Sequence, residues 1–350
     1  MSTRAAIVLD ESPKDRWSRE RLAAIWPLVL RWFVPVVIGL MFLVPFVNDS
    51  RLQLQVLTIA FLNGALVAGL ALSLGYTGVL NFSQGTFYGL GAYTTALLVT
   101  DYGLQFWLAT LIAVAVTGVA GWLFSLSTGR VKGDYFALVS IALTIAFAQL
   151  CANLPSVTRG REGFFGLPEM RLFGLSFDDS LATYYLCLLM FAFVYVLMAR
   201  VVRTFYGRSM LTVRYNDVAA RSMGISTFTT KAISLTIGSA VAGLAGAFMV
   251  GSIQFIRPED FGFNPSFMIS LYVIIGGVGS LPAVVIVALV LTYLQEQFRG
   301  LGDYRVGVLG IVVIFAVFWR AGVLRDASWR LRQRLAGRRL RRKDAPDADV

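Results

Sequence analysis

LQLQVLTIAFLNGALVAGLALSL, residues Leu52–Leu74, runs directly into GYTGVLNFSQG, residues Gly75–Gly85, and this junction decides the kind of fold. The first part is apolar over the roughly 20 residues a helix needs to cross a hydrocarbon layer about 30 Å thick. Backbone groups in lipid must bond to one another, and the period-two alternation of a barrel strand is missing, so the run predicts a helix. The second part interrupts that helix with glycine and polar residues. Irregular backbone at membrane depth is tolerated only against protein or a watery cavity, so the interruption predicts a broken helix inside a bundle.

Similar apolar runs recur outward in both directions. Of the 350 residues 57% are hydrophobic and 15% charged, against about 25% charged in soluble domains, which excludes a water-soluble fold. The runs are Trp26–Val47, Leu52–Leu74, a short one from Thr86 to Thr100, Leu104–Ser127 and Tyr135–Leu154. Leu181–Ala199, Ala232–Gln254, Pro265–Leu281, Pro282–Phe298 and Tyr304–Trp319 follow. The expected class is all-α: a polytopic transmembrane helical bundle of about ten spans with helix breaks.

The net charge of +11 sits mainly outside these runs. That distribution follows the positive-inside rule and does not call for nucleic acid. A basic segment, residues 1–25, carries Arg4, Lys14, Arg16, Arg19 and Arg21 before the first apolar residues. Further spans follow it in place of a small-residue cleavage site, so it does not read as a cleavable signal. With a cytoplasmic N-terminus, the loop holding Arg130 and Lys132, the charged loop 200–230 and the tail 324–350 all fall inside, given an even number of spans. Pro155–Ser180 and the segment around Arg257, Glu259 and Asp260 then fall outside. The arginine-rich tail reads as an anchor against anionic lipid headgroups.

The transmembrane body is expected over 26–323. Cys151 and Cys187 lie inside apolar runs and read as packing residues, and there is no histidine. No catalytic residue, metal ligand or cofactor is expected from such a set. A GxxxxGK phosphate loop is missing, and Gly89-Leu90-Gly91 lacks the third glycine of a dinucleotide fingerprint, so the chain is not expected to hydrolyse ATP. Glu296 is the clear ionisable residue within the runs, too little for a comfortable proton or sodium relay.

Polar residues collect at the first break: Asn81, Ser83 and Gln84, then Tyr88 a turn later. A second break, Ile275-Gly276-Gly277-Val278-Gly279-Ser280, precedes Pro282. Paired breaks are a feature of repeat-built transporters, although these two share little sequence. Asn81, Ser83, Gln84, Tyr88, Gly276 and Gly277 are therefore candidates for a translocation path. Close packing of helices through small residues accounts for them equally well. Gln149, Asn153 and Gln254 read as interhelical hydrogen-bond partners.

In loop 200–230 a short helix is expected from an Asn216 cap to a stop at Gly224. It would carry Ala219, Ala220 and Met223 on one side and Arg214, Asp217 and Arg221 on another. Such a helix can seat in a groove of a soluble partner or lie on the headgroups.

An ordered set of motifs from about Leu52 to Trp319 resembles the LivM-type permeases of branched-chain amino acid ABC transporters, related to the LivH type and distantly to ribose permeases. The set comprises Leu74-Gly75-Tyr76-Thr77-Gly78, Phe82-Ser83-Gln84-Gly85, Gly89-Leu90-Gly91-Ala92-Tyr93, Lys132-Gly133-Asp134-Tyr135 and Gly207-Arg208. Ala219-Ala220-Arg221-Ser222-Met223-Gly224-Ile225, Ala242-Gly243-Leu244-Ala245-Gly246-Ala247 and Gly276-Gly277-Val278-Gly279-Ser280 complete it. The resemblance implies an inner-membrane subunit whose loop docks on an ATPase through Gly207, Arg208, Arg214, Asp217, Ala219, Ala220, Met223 and Gly224. It further implies a LivH-type permease as heterodimer partner, two ATP-binding cassette subunits and a periplasmic substrate-binding protein. Two departures stand out. Gln84 replaces a common His, and Thr158-Arg159-Gly160-Arg161-Glu162-Gly163 replaces a TGG-x-(N/D)-G external pattern. Related systems carry urea, short amides or aromatic acids as well as branched-chain amino acids. An ion-coupled secondary transporter is the alternative outside this class.

Overall fold

In the computed structural model, residues 37–45, 50–128, 134–167, 170–172, 175–176, 180–277, 279–297 and 310 are described. Two compact units make up the chain, Met1–Tyr293 and Leu294–Val350. Every helix named below belongs to the first, apart from the last turn of α12. Of the second unit, only that turn and residue 310 are described.

Helix α1 covers 37–45. Helix α2, Arg51–Leu70, continues into a π-helical segment, Ala71–Tyr76. After the break come α3 (Gln84–Thr100), α4 (Phe106–Thr128), α5 (Asp134–Asn153) and the single turn α6 (Pro155–Thr158). Then follow α7 (Ser180–Arg203), α8 (Phe205–Tyr215), α9 (Asp217–Ser222) and α10 (Thr227–Ile253). A 3-10 turn at Pro258–Phe261 leads to α11 (Phe263–Gly276) and α12 (Leu281–Gln297). Five helical stretches, Arg51–Tyr76, Phe106–Ser127, Tyr135–Asn153, Ser180–Arg203 and Thr227–Ile253, are long and apolar enough to cross a membrane.

Helix α10 is the hub, packing on α2, α3 and α4, while α2 also packs on α7. Lipid tails are as apolar as leucine, so helices in a bilayer associate through close contact and not through the hydrophobic effect. Small residues supply that contact. A Cβ on Gly91 of α3 would run into the backbone of Gly243 in α10, and one on Gly69 of α2 would lie 3.1 Å from the Gly238 carbonyl. The Ala242–Ala247 motif is thus the inner seam of the bundle. Between α2 and α7, Phe61 stacks on Phe191 at 5.7 Å and meets Tyr184 edge-on at 5.3 Å. Helices α4, α5 and α7 turn much of their surface outward, with Leu111, Trp122, Leu138, Leu189 and Phe193 exposed.

The all-helical expectation needs one amendment. Strand β1 (Phe164–Phe165) pairs antiparallel with β4 (Phe255–Ile256), and β2 (Arg171–Leu172) with β3 (Leu175–Ser176). The first ribbon ties the segment after α6 to the segment after α10. The Phe165 and Phe255 rings, tilted against each other with centroids 4.6 Å apart, reinforce it, with Arg159 over Phe164 and Arg257 over Phe255. In the adjoining 3-10 turn, burial holds the Asp260 carboxyl above the usual carboxylate range, opposed by its hydrogen bond from the Arg257 amide.

Of the ten expected spans, Leu52–Leu74 through Pro282–Phe298 find helices in place, offset by a few residues at the ends. Trp26–Val47 is described only over 37–45. The span Tyr304–Trp319, residues 1–25, the boundary at 323 and tail 324–350, and the Arg130 and Lys132 loop lie outside the described residues, apart from residue 310.

Candidate functional site

The π segment carries one extra residue per turn, and at Tyr76 the helix gives way to irregular backbone until α3 begins at Gln84. Thr77, Asn81, Ser83 and Gln84 are nonetheless buried, none more than 3% exposed. Buried backbone groups must be hydrogen-bonded, and here side chains from neighbouring helices do it. Ser140 of α5 accepts from the Phe82 amide at 3.0 Å, and Thr144 donates to the Phe82 carbonyl at 3.0 Å. Ser270 of α11 donates to the Asn81 carbonyl at 3.2 Å, and Ser266 accepts from the Gly85 amide at 3.1 Å. Asn81 Oδ1 accepts from both the amide and the hydroxyl of Ser83, at 2.9 and 2.6 Å. The Gln84 amide donates to Leu66 of α2 and Gly238 of α10, each at 3.2 Å. The break is thus a braced junction of α2, α3, α5, α10 and α11.

Asn81, Ser83 and Gln84 direct their polar atoms into this bracing and present none of them on an open surface of the chain. Tyr88 is likewise buried, edge-on to Phe261 at 5.4 Å. What the break turns outward is apolar: Leu80 is 36% exposed and Phe82 stacks on Phe267 of α11 at 6.1 Å.

The second break is close-packed. Gly276 is pressed against the backbone of Val284, where a Cβ would not fit, and Gly277 has a φ of 91°. One bond links the breaks: the Leu281 amide donates to the Tyr76 hydroxyl at 3.2 Å.

Loop 200–230 contains two helices where one was expected, α8 having escaped notice. Asn216 has extended backbone, ends α8 and caps α9, its Oδ1 accepting from the Val218 and Ala219 amides at 3.0 Å each. Such caps contribute about 1 kcal/mol. At the other end Gly224, at φ 76°, donates to the Arg221 carbonyl while the Ile225 amide donates to Ala220 at 3.0 Å, closing a Schellman stop. Asp217 pairs with Arg221 at 2.9 Å and with Lys231 of α10 at 3.3 Å.

The expected faces of this loop need correction. Ala220 is fully buried and does not share an outward side with Ala219 and Met223, which are exposed. Val218, 74% exposed, joins them instead. Gly207 is buried where a Cβ would meet the Val202 carbonyl, so its part is the tight α7–α8 turn. Arg208 is exposed. Arg214 points inward: its Nη1 donates to the Leu74 and Gly75 carbonyls at 2.8 and 2.7 Å. Nothing in the sequence announced that link, because it joins residues 140 positions apart.

A bundle of apolar helices crossing through glycines, with a braced break inside it, defines a multi-pass membrane protein. The comparisons make this specific. The family profile described as "Branched-chain amino acid transport system / permease component" matches residues 52–317, and the chain belongs to that family. The LivM permease protein of the high-affinity branched-chain amino acid transport system is 31% identical over 294 residues in both Salmonella typhimurium and Escherichia coli, covering 77% of this chain and 69% of the relative. The Escherichia coli LivH protein is 23% identical over 275 residues, covering 71% of this chain and 89% of the relative. No solved structure matches the chain.

Proposed function

We propose that the chain is the LivM-type half of a heterodimeric ABC importer in a bacterial inner membrane, with a LivH-type permease as its other half. A periplasmic binding protein delivers branched-chain amino acids to it, and two separate ATP-binding cassette subunits drive it. Both termini are cytoplasmic and about ten spans cross the bilayer. The observation that carries the reading is α9, a helix capped at both ends that turns Val218, Ala219 and Met223 outward. Exposed apolar residues on a short, rigid helix suit the groove of a soluble partner. Asn81, Ser83, Gln84, Gly276 and Gly277 shape the path by holding the breaks, and the outward residues Leu80 and Phe82 are better placed to meet an apolar cargo.

The test is uptake of labelled leucine, isoleucine and valine in cells carrying the chain with its companion subunits. Val218→Glu or Met223→Glu is expected to lower uptake about tenfold and to release the ATPase from membranes. Full uptake with both variants overturns the docking assignment. Uptake of urea, amides or aromatic acids in place of leucine overturns the substrate. A cysteine at Met223 that reacts with an impermeant reagent in intact cells overturns the topology, and the buried Cys151 and Cys187 leave little background.

A further inference from the structure

We propose that Arg214 is a strap by which the docking loop holds the first helix break closed, so that movement of α9 reaches this break through the Arg214 side chain. The inference rests on the reading of α9 as the docking helix. A helix end leaves carbonyls without an intrahelical donor. Here the following amides bond further back, Thr77 to Leu72 at 3.0 Å and Val79 to Ser73 at 2.9 Å. The Leu74 and Gly75 carbonyls at the end of the π segment are instead met by Arg214. A cation there also suits the negative end of the helix dipole.

The stem of Arg214 is equally committed. Gly78, at φ 74°, lies under it so closely that a Cβ would sit 3.1 Å from Arg214 Cγ. No carboxylate pairs with Arg214 among the described residues. Burial lowers its pKa from the usual guanidinium value, opposed by Tyr215, yet an arginine stays protonated throughout the physiological range.

The connection outward is short. Arg214 is two residues from Asn216, whose side chain caps α9, and Asp217 bridges to Lys231 at the start of α10. On the same helix α8, Leu211 lies near Gly279 of the second break. A displacement of α9 therefore pulls on Arg214, and withdrawing the guanidinium leaves two carbonyls without a donor beside a segment already wound out of α register. Lysine cannot reproduce the fork of donors on a planar group.

A cysteine at Thr77, itself 3% exposed and next to the two carbonyls, reports the state of the break in the full chain. Arg214→Ala is expected to raise its rate of thiol labelling about tenfold, Arg214→Lys by less, with Cys151 and Cys187 unchanged. Equal labelling of Thr77→Cys with and without Arg214, in both variants, overturns the strap. So does a parallel rise at Cys187, which would mean general loosening. This arm needs no ATPase, so it separates failure of the strap from failure of the docking assignment. In the assembled transporter, Arg214→Ala is expected to keep ATPase association and hydrolysis while uptake falls about tenfold, whereas Leu211→Ala keeps the ratio of transport to hydrolysis. Wild-type coupling in Arg214→Ala overturns the proposal.

Discussion

The two helix breaks look alike as strings, each a glycine-rich interruption of an apolar run, yet they are held open by opposite means. The first is polar and braced, its irregular backbone met by Ser140, Thr144, Ser266, Ser270 and Arg214 from three other helices. The second is close-packed, with Gly276 set against the Val284 backbone where a Cβ would not fit. The difference teaches that a break braced by side chains can be altered one hydrogen bond at a time, whereas a close-packed one has no room for an added side chain.

The comparison is broken most directly at the close-packed break. Gly276→Val forces a branched side chain into the α12 backbone and is expected to cost about 3 kcal/mol or more, seen as loss of monodisperse protein after detergent extraction. Normal yield and melting would mean that the second break is also adaptable. At the braced break, Asn81→Ala removes the acceptor for both the amide and the hydroxyl of Ser83, an expected loss of about 2 kcal/mol that a detergent melting curve would register. Bulky Ser83→Trp, at a position with no exposed surface, should reduce both uptake and the yield of folded protein, since the junction has no room for the ring.

Tyr76→Phe sharpens the comparison because it cuts the bond between the breaks, leaving the Leu281 amide without its acceptor. The expected cost is about 1 kcal/mol, with faster amide exchange confined to the start of α12. The smallest effect belongs to Gly224→Ala, where open space surrounds the missing Cβ and only the left-handed backbone resists. About 1 kcal/mol is expected, local to α9 and visible as faster proteolysis of the loop with unchanged global melting.

Features set by local chemistry were legible in the sequence. Asn216 starts a helix and Gly224 stops it because caps and left-handed turns depend on residues within a few positions. The first break was equally plain, since the polar, glycine-rich run from Gly75 to Gly85 interrupts the apolar pattern, although Gly75 and Tyr76 still belong to the preceding helix and Gln84 and Gly85 to the next. What stayed hidden depends on distant partners. Gln84 looked like a path residue because its amide stands out among apolar neighbours, yet it cross-links three helices. Ala220 and Ala219 are indistinguishable by type, and only the packing of α9 buries one and exposes the other. The two-residue strands carry too few positions for any alternation to register.

The central place of α10 sets an order of events in biosynthesis. Gln84 and Gly238, joined in the finished bundle, are 154 residues apart. At about 5–20 residues per second, roughly 8–30 s separate their emergence from the ribosome. During that interval α2, α3 and α4 sit in the bilayer with their glycine seams facing lipid and the Gln84 amide lacking one acceptor. Closure waits for α10, so nascent chains stalled before residue 227 should be the ones that membrane quality-control proteases clear first.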